Sequence, residues 1–417
     1  MAACGLDFGT SNSALGIVTQ QGPRLVRVDN DSELIPTAIF FDLDNWEHPR
    51  FGQAAIDAAI GREPGRFLRG LKSILGSELS ERTTQIGPHR ITFASVIERF
   101  IRHLKAKAEE TLGHELDSVV HGRPVHFYDG DTQADARAQA SLETIVRKSG
   151  FKNVRFVYEP IAAAYHYEAS VENEELVLVA DIGGGTSDFS LIRIGPQRRG
   201  LRDRKDDILA NTGRRLGGSD LDAALSLAVV MPLLGLGSFQ REKNLPIPKS
   251  IYFELAHWAT LPFVYSWTNV DLVRRLHADA CEPGKLQRLQ RTLELQLGHR
   301  IAFAAEAAKI ALSGGAIASV DLEFLEAGLS CSVQRTQFEL AIAERTAALT
   351  NAAVQCIRTA GINARQIGAI FFTGGSSRVP VFQEAVARAA PHAVWRSASD
   401  LLSVALGLTK AAQRSFG

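Results

Sequence analysis

With 417 residues, 45% hydrophobic and 22% charged, the chain has ordinary globular composition and room for two or more domains with sizeable cores. Net charge is zero and no long run of Lys or Arg occurs, which disfavours nucleic acid or an acidic membrane as partner. No run of about 18 apolar residues offers a membrane span. The four cysteines, Cys4, Cys281, Cys331 and Cys356, are too few for a disulfide scaffold and have no metal-type spacing; they suit a reducing cytosol. The N-terminus lacks a basic region and Asp7 interrupts any apolar core, so no signal peptide is expected and the protein is placed in the cytoplasm.

In chain order, residues 4–18 read as a β-hairpin whose turn holds Asp7-Phe8-Gly9-Thr10-Ser11. Residues 25–28 continue the sheet, 33–41 give a turn and another strand, and 52–60 a helix. Residues 67–75 are expected to be mostly helical; on periodicity alone their Lys72 is solvated surface. Residues 92–112 form an amphipathic helix with Phe93, Val96, Ile97, Phe100, Ile101 and Leu104 on one stripe. A strand over 119–127 is broken by Pro124, a helix covers 133–149, and 154–157 is a short strand. Glu159-Pro160 then opens a helix over 161–168. Glu159 either serves the helix dipole or points into a cleft from a strand–helix junction, where α/β folds place chemistry.

Two apolar strands, 176–180 and 189–194, flank Asp181-Ile182-Gly183-Gly184-Gly185-Thr186-Ser187-Asp188. Glycines expose backbone N–H groups that bind phosphate oxygens. Two carboxylates beside such a nest suit Mg2+, a hard cation that keeps several waters. Taken alone, the segment is equally a hairpin with a flexible loop. The turn at Asp7–Ser11 repeats its order of Asp, apolar, Gly, then Thr-Ser, so two related lobes are expected, their turns holding one polyphosphate from both sides. No G-x-x-x-x-G-K-[ST] run occurs, which argues against a P-loop ATPase.

Leu216-Gly217-Gly218-Ser219-Asp220 is a further glycine turn before a helix, either a phosphate site or a plain cap by Ser219 or Asp220. Residues 228–299, with Trp258, Pro262, Tyr265 and Trp267, read as a mixed helix–loop subdomain whose aromatics form a core or a partner patch. His257, His277 and His299 have no ligand spacing. Helix 300–313 carries Ile301, Ala305, Ala308 and Leu312 on its core stripe. Glu306, Lys309, Ile310 and Ser313 share an adjacent face, where Glu306–Lys309 is at least a surface ion pair. A strand over 368–372 leads to Gly374-Gly375-Ser376-Ser377-Arg378 and a helix with Pro380 in its first turn, a common α/β connection or a nucleoside contact. Asp400 is expected to cap a final helix.

Four motifs occur in order: Asp7-Phe8-Gly9-Thr10-Ser11-Asn12-Ser13, Glu159-Pro160-Ile161-Ala162-Ala163-Ala164-Tyr165, the segment Asp181–Asp188, and Gly374-Gly375-Ser376-Ser377-Arg378-Val379-Pro380. Together they resemble the nucleotide-binding domain of the DnaK-type chaperones (the heat shock protein 70 family) of the actin-like ATPase superfamily, over nearly the whole chain. The likeness is greatest to the YegD-type subgroup, an ATPase domain without the rest of the chaperone. The resemblance implies an α/β, two-lobed actin-like ATPase with duplicated ribonuclease H-like lobes, each bearing a smaller inserted subdomain. The lobes would span 1–170 and 171–417, with a variable subdomain near 223–330.

The same resemblance implies ATP/ADP and Mg2+ as ligands. Asp7, Asp181 and Asp188 would hold Mg2+, mostly through its waters. Asp7, Gly9, Thr10 and Ser11 would serve the phosphates from the first lobe, and Gly183, Gly184, Gly185 and Thr186 from the second. Lys72 falls where the family keeps a lysine that offsets γ-phosphate charge, Glu159 would orient the attacking water, and both join Asp181 in the catalytic set. Gly217 and Gly218 would lie near the nucleotide. Glu306, Lys309, Ser313, Gly374, Gly375, Ser376 and Arg378 would contact the nucleoside. The family's adenine-stacking arginine falls at Ile310, which cannot supply cation–π attraction. Pro124 resembles a switch proline, with Arg137 as the candidate for its partner arginine.

The expected function is slow, Mg2+-dependent ATP hydrolysis by a chaperone-like protein whose lobe closure is read by a protein partner or co-chaperone, without nucleic acid or membrane. The chain stops where a DnaK-type chaperone continues, so no peptide-binding domain is expected. An actin-fold small-molecule (sugar-type) kinase and a non-hydrolysing nucleotide-binding scaffold are the rivals, and fold analogy does not choose among them.

Overall fold

The computed structural model describes residues 2–77, 82–128, 130–199, 201, 204–242, 244–397 and 402–416. The chain packs as two compact units, Met1–Gly217 with Thr346–Gly417, and Gly218–Arg345.

The first unit is built on two sheets of one plan. The first contains β1 (Ala3–Phe8), β2 (Asn12–Thr19), β3 (Gly22–Leu25), β4 (Ser118–Arg123) and β5 (Asn153–Tyr158), in the order β5-β4-β1-β2-β3, with Leu34–Pro36 also paired to β2. The second contains β6 (Glu175–Ile182), β7 (Ser187–Ile194), β8 (Ile208–Arg214), β9 (Ile367–Thr373) and β10 (Val394–Ser397), in the order β8-β7-β6-β9-β10. In each, an antiparallel hairpin carries a third antiparallel strand on one side and two parallel strands on the other. Parallel pairs need long crossovers, and helices on the sheet faces supply them. The leading strand of each hairpin is therefore central and apolar: Cys4, Leu6 and Phe8 in β1, and Val177 to Ala180 in β6, are buried.

Local chemistry sets the helices. In α1 (Phe93–Leu112) the Thr92 hydroxyl accepts from the Ser95 N–H at the start, and Gly113 at φ 75° ends it. In α2 (Thr132–Lys148) the Asp131 carboxylate accepts from the Gln133 and Ala134 N–H groups. Pro160 occupies the first turn of α3 (Glu159–Tyr167) and Pro380 that of α4 (Pro380–Ala387). The last helix, α5 (Ser403–Phe416), returns to pack on α3, β1, β2 and β4. Glycines permit that approach: a Cβ on Gly5 would lie 2.2 Å from the Thr409 nitrogen, and one on Gly407 1.8 Å from the Ala162 oxygen.

Two local expectations need correction. Residues 67–75 are not one helical segment. Gly65–Arg69 is a strand antiparallel to Ala38–Asp42, with Phe67 opposite Phe40; only Leu71–Ile74 is helical, as a 3-10 turn after Gly70 at φ 74°. The strand expected to be broken by Pro124 does end there, at Arg123, because proline has no N–H for a ladder. Pairing in the segment expected over 25–28 stops at Leu25, although the Val26 N–H still donates to the Leu15 carbonyl at 2.9 Å. Asp400 lies outside the described residues.

The second unit comprises mainly helices, among them Gly218–Leu225, Ser250–Ala256, Trp267–Ala278, Pro283–Glu294 and Gly298–Gly314, with the hairpin Ile317–Asp321 and Ser330–Gln334. Ile301, Ala305, Ala308 and Leu312 form the buried stripe of Gly298–Gly314. The aromatic-rich segment divides: Trp258 is buried, whereas Trp267 is 76% exposed. Helix Gly218–Leu225 begins early enough that Ser219 and Asp220 lie in its first turn rather than at its cap. Among the described residues no helix is long and apolar enough to cross a membrane.

Candidate phosphate and metal site

Two hairpin turns of the first unit face each other. A Cβ on Gly184 would lie 2.1 Å from Ser11 Oγ, and one on Gly185 2.5 Å from Thr10 Oγ1. The loop after β8 joins them backbone to backbone: a Cβ on Gly217 would meet the Gly185 nitrogen at 2.4 Å. Ser187 Oγ donates to the Leu216 carbonyl at 2.6 Å, which fastens that loop to β7. Gly374, at φ 79°, lies against the end of β6, where a Cβ would be 2.7 Å from Asp181 Oδ1, and Ser376 Oγ donates to the Gly183 carbonyl at 2.8 Å. Gly9 makes the tight first turn, its missing Cβ 2.2 Å from the Asn12 carbonyl. Four glycine-bearing segments thus meet, and side chains at most of these positions would drive them apart.

Acidic groups gather behind the turns. Asp7 and Asp181 are the last residues but one of β1 and β6, Asp188 is the second residue of β7 and Glu159 begins α3; the 3-10 turn supplies Lys72. Lys72 Nζ meets Glu159 Oε1 at 2.5 Å, with both side chains buried. Burial, then the nearby Glu159, hold the Asp7 and Asp181 carboxyls well above the usual range. The same two causes push Asp188 up to about 8, against the Val125 N–H and Thr186 hydroxyl that bond to it. Burial opposes the charge on Lys72, but attraction to Glu159 and Asp7 outweighs it and raises the ammonium.

Four carboxylates to one lysine is a group short of positive charge, and a divalent cation suits it. Asp188 Oδ1 accepts from the Val125 N–H at 2.7 Å, while its Oδ2 is buried without a hydrogen-bond partner, the kind of atom a cation's water would satisfy. Among the described residues no three His, Cys, Asp or Glu side chains converge tightly enough to ligate a metal directly. A cation here would keep its waters between itself and the carboxylates, as Mg2+ does.

The first unit therefore brings together Asp7, Gly9, Thr10, Ser11, Lys72, Glu159, Asp181, Gly183, Gly184, Gly185, Thr186, Asp188, Gly217, Gly374 and Ser376. Gly375 and Arg378 are exposed on the adjoining 3-10 turn, Gly375–Arg378. Gly218, Glu306, Lys309 and Ser313 belong to the second unit. There Lys309 is buried and pairs with Asp222 Oδ1 at 2.7 Å, its ammonium also reaching the Gly218 carbonyl at 3.4 Å. Lys309 is thus a buried residue paired with Asp222, from another helix, rather than part of a surface pair. Ser313 Oγ donates to the Lys309 carbonyl of its own helix at 3.2 Å, and Ile310 is 63% exposed.

Two arginines were missed by the sequence reading. Arg123, not the exposed Arg137, engages Pro124: its Nε donates to the Pro124 carbonyl at 2.9 Å and its Nη2 to Asp135 Oδ2 at 2.8 Å, over the Phe127 and Tyr158 rings. Nothing but adjacency to Pro124 signals it. Arg215 lines a cavity with Thr10, Lys72, Pro124, Gly185 and Thr186. The pair Arg214-Arg215 just before a glycine turn was the available clue.

The sequence model of the family described as Hsp70 protein matches residues 84–232 and 280–412, more than half of the chain. The first segment covers Glu159 and the turn from Asp181 to Asp188, and the second covers Lys309 and Gly374 to Arg378.

Proposed function

This chain belongs to the Hsp70 family, with the two-lobed actin-like ATPase fold of its nucleotide-binding domain, and we propose that it slowly hydrolyses Mg-ATP to ADP and phosphate. The observation that carries this reading is the meeting of the turns Gly9–Ser11 and Gly183–Thr186 over a buried group of four carboxylates and Lys72.

Backbone N–H groups and the Thr10 and Thr186 hydroxyls cradle the phosphates. Asp7, Asp181 and Asp188 would hold Mg2+ through its waters, and the bound ion would supply positive charge against the phosphates. Glu159, fixed by Lys72, accepts a hydrogen bond from the attacking water and orients it. The water oxygen bonds to the γ-phosphorus, the β–γ bridging bond breaks, its electron pair leaves with ADP, and both water protons stay on the oxygens of the orthophosphate. Lys72 offsets the charge gathered on the transferring group. Positioning and electrostatics are most of what this reaction asks of a protein.

Finer assignments rest on the resemblance. Glu306, Lys309, Ser313 and Arg378 serve the nucleoside, Gly218 lies near the nucleotide, and the chain sits with the YegD-like subgroup. A protein partner or co-chaperone reads the nucleotide state. Four free thiols suit the cytosol.

The test is phosphate release from Mg-ATP by the purified protein beside Lys72→Ala. Slow turnover lost in the variant is expected. Equal background from both proteins would overturn the ATPase reading.

A further inference from the structure

We propose that Lys410, Arg414 and Arg199 form a second anion site, separate from the hairpin turns, which takes the phosphate group of orthophosphate or of a small phosphate monoester. The site shares no residue with the turns, so the two readings stand or fall separately.

The three cations gather beside the end of α3. Lys410 and Arg414 stand four residues apart on α5, and Arg199 lies on the loop that follows β7. Arg199 Nε donates to the Glu168 carbonyl at 3.0 Å and its Nη2 to the Val171 carbonyl. Arg414 Nη2 donates to the Arg199 carbonyl at 2.8 Å, and its guanidinium lies 5.1 Å from the centroid of the Tyr165 ring. These contacts fix both guanidinium groups and leave N–H donors of each unspent. Lys410 is half-buried near both arginines. Burial first, then Arg414 and Arg199, push its ammonium below the ordinary value, against the pull of Glu168.

The carboxylates of this network are already engaged. Glu168 accepts from Arg204 Nη1 and Nη2 at 3.0 and 2.8 Å. Asp207 is shared by Arg204 and Arg198, and Glu174 pairs with Arg198 at 2.8 Å and with Arg193 at 3.8 Å. The cations left over are Lys410, Arg414 and Arg199. Among the described residues none of these three forms an ion pair, and the hydrogen bonds of the two arginines go to carbonyls. Like charges held together at a half-buried position repel more strongly than they would in water. An anion with several oxygens relieves that repulsion and accepts from the unspent donors at once. A phosphate dianion does so better than a carboxylate, because it brings more charge and more acceptor oxygens to one point, and guanidinium forks match it. Arg199 is exposed, which opens the group to a ligand from solvent.

The experiment reads Lys410 itself. Wild type is pulse-acetylated with and without orthophosphate, in chloride of matched ionic strength, and modification of each lysine is measured by mass spectrometry. Orthophosphate is expected to protect Lys410 selectively. In Arg414→Gln, at least about tenfold more orthophosphate should be needed for the same protection, as loss of a charged hydrogen bond implies. Thermal melts check folding, and Arg199→Gln carries the same test if Arg414→Gln does not fold. Glycerol 3-phosphate in place of orthophosphate identifies the source: equal protection means that a monoester fits, and protection by orthophosphate alone restricts the site to the free ion. Equal protection by chloride would mean general screening and would overturn the proposal. So would an unprotected Lys410 in wild type, or folded variants protected at the wild-type concentration.

Discussion

Lys72 Nζ and Glu159 Oε1 meet at 2.5 Å across 87 positions of sequence, buried beside a group that already holds three aspartates. Each residue makes the other tolerable there. Among the described residues Lys72 is the cation that Glu159 pairs with, and breaking a buried pair costs about 3–5 kcal/mol. Lys72→Ala should therefore lose both phosphate release and thermal stability. Adding Glu159→Gln to that variant should restore much of the stability and none of the turnover. Thermal melts and phosphate release on the three variants check this; a double variant no more stable than Lys72→Ala would sink the coupling.

The glycine contacts predict an ordered series. A methyl on Gly217 would meet backbone at 2.4 Å, where no rotamer can yield, whereas one on Gly183 finds its nearest neighbour at an ordinary 3.6 Å. Gly217→Ala should weaken ADP binding by at least about tenfold and lower the melting temperature, through the overpacking that costs about 1–3 kcal/mol in packed cores. Gly183→Ala should stay close to wild type in stability. Calorimetric titration with ADP and melts of both variants decide it; equal behaviour would mean the turns separate freely.

Much of the fold was legible because its signals are local. The two hairpins announce themselves by apolar runs around Asp-x-Gly and Thr-Ser, and the structure pairs Asp181 with Asp188 as the turn requires. The stripe of α1 was readable for the same reason. What was not legible depends on distant partners. Phe67 and Leu68 have helical spacing with Leu71 and Leu75, yet they pair with Phe40 and Ile39, and that register is written in the other strand. Lys309 shares a helix face with Glu306, but it is buried and pairs with Asp222 on another helix. Arg123 and Arg215 act through a proline carbonyl, a serine carbonyl and rings, partners that carry no sequence pattern.

Arg123 ties Pro124 to α2 through Asp135, and the next residue, Val125, donates its N–H to Asp188. The chain from α2 to a proposed metal-holding carboxylate is thus three contacts long. Arg123→Ala should destabilise by about 2–4 kcal/mol, since it strands Asp135 and two carbonyls. A double-mutant cycle with Asp135→Asn should return a coupling above about 1 kcal/mol by denaturant unfolding. Strict additivity would show that the contact stabilises nothing.

Protonation should set the pH range of the metal-free protein from both sides. Asp188 has its carboxyl raised from an ordinary 3.8 to about 8 by burial and Glu159, so the fold prefers it protonated. Its contribution is whole below the ordinary value and is lost as pH climbs towards about 8. His121 works in the opposite sense. Its Nδ1 is 2.6 Å from the Gly122 carbonyl, Nε2 is buried without a partner, and burial pushes the ring down from 6.5 to about 3. Its contribution is whole above 6.5 and is lost as pH falls towards about 3. In a chelator, the melting temperature should decline from about pH 6 to 8, and Asp188→Asn should flatten that limb while leaving the acid limb in place. Mg-ADP should raise stability most at the alkaline end and release protons on binding, because the carboxylates must ionise to hold the cation's waters. Melts across pH with chelator or Mg-ADP, and titration calorimetry in two buffers of different ionisation heat, test both halves. An unchanged alkaline slope in Asp188→Asn would assign the titration elsewhere in the carboxylate group.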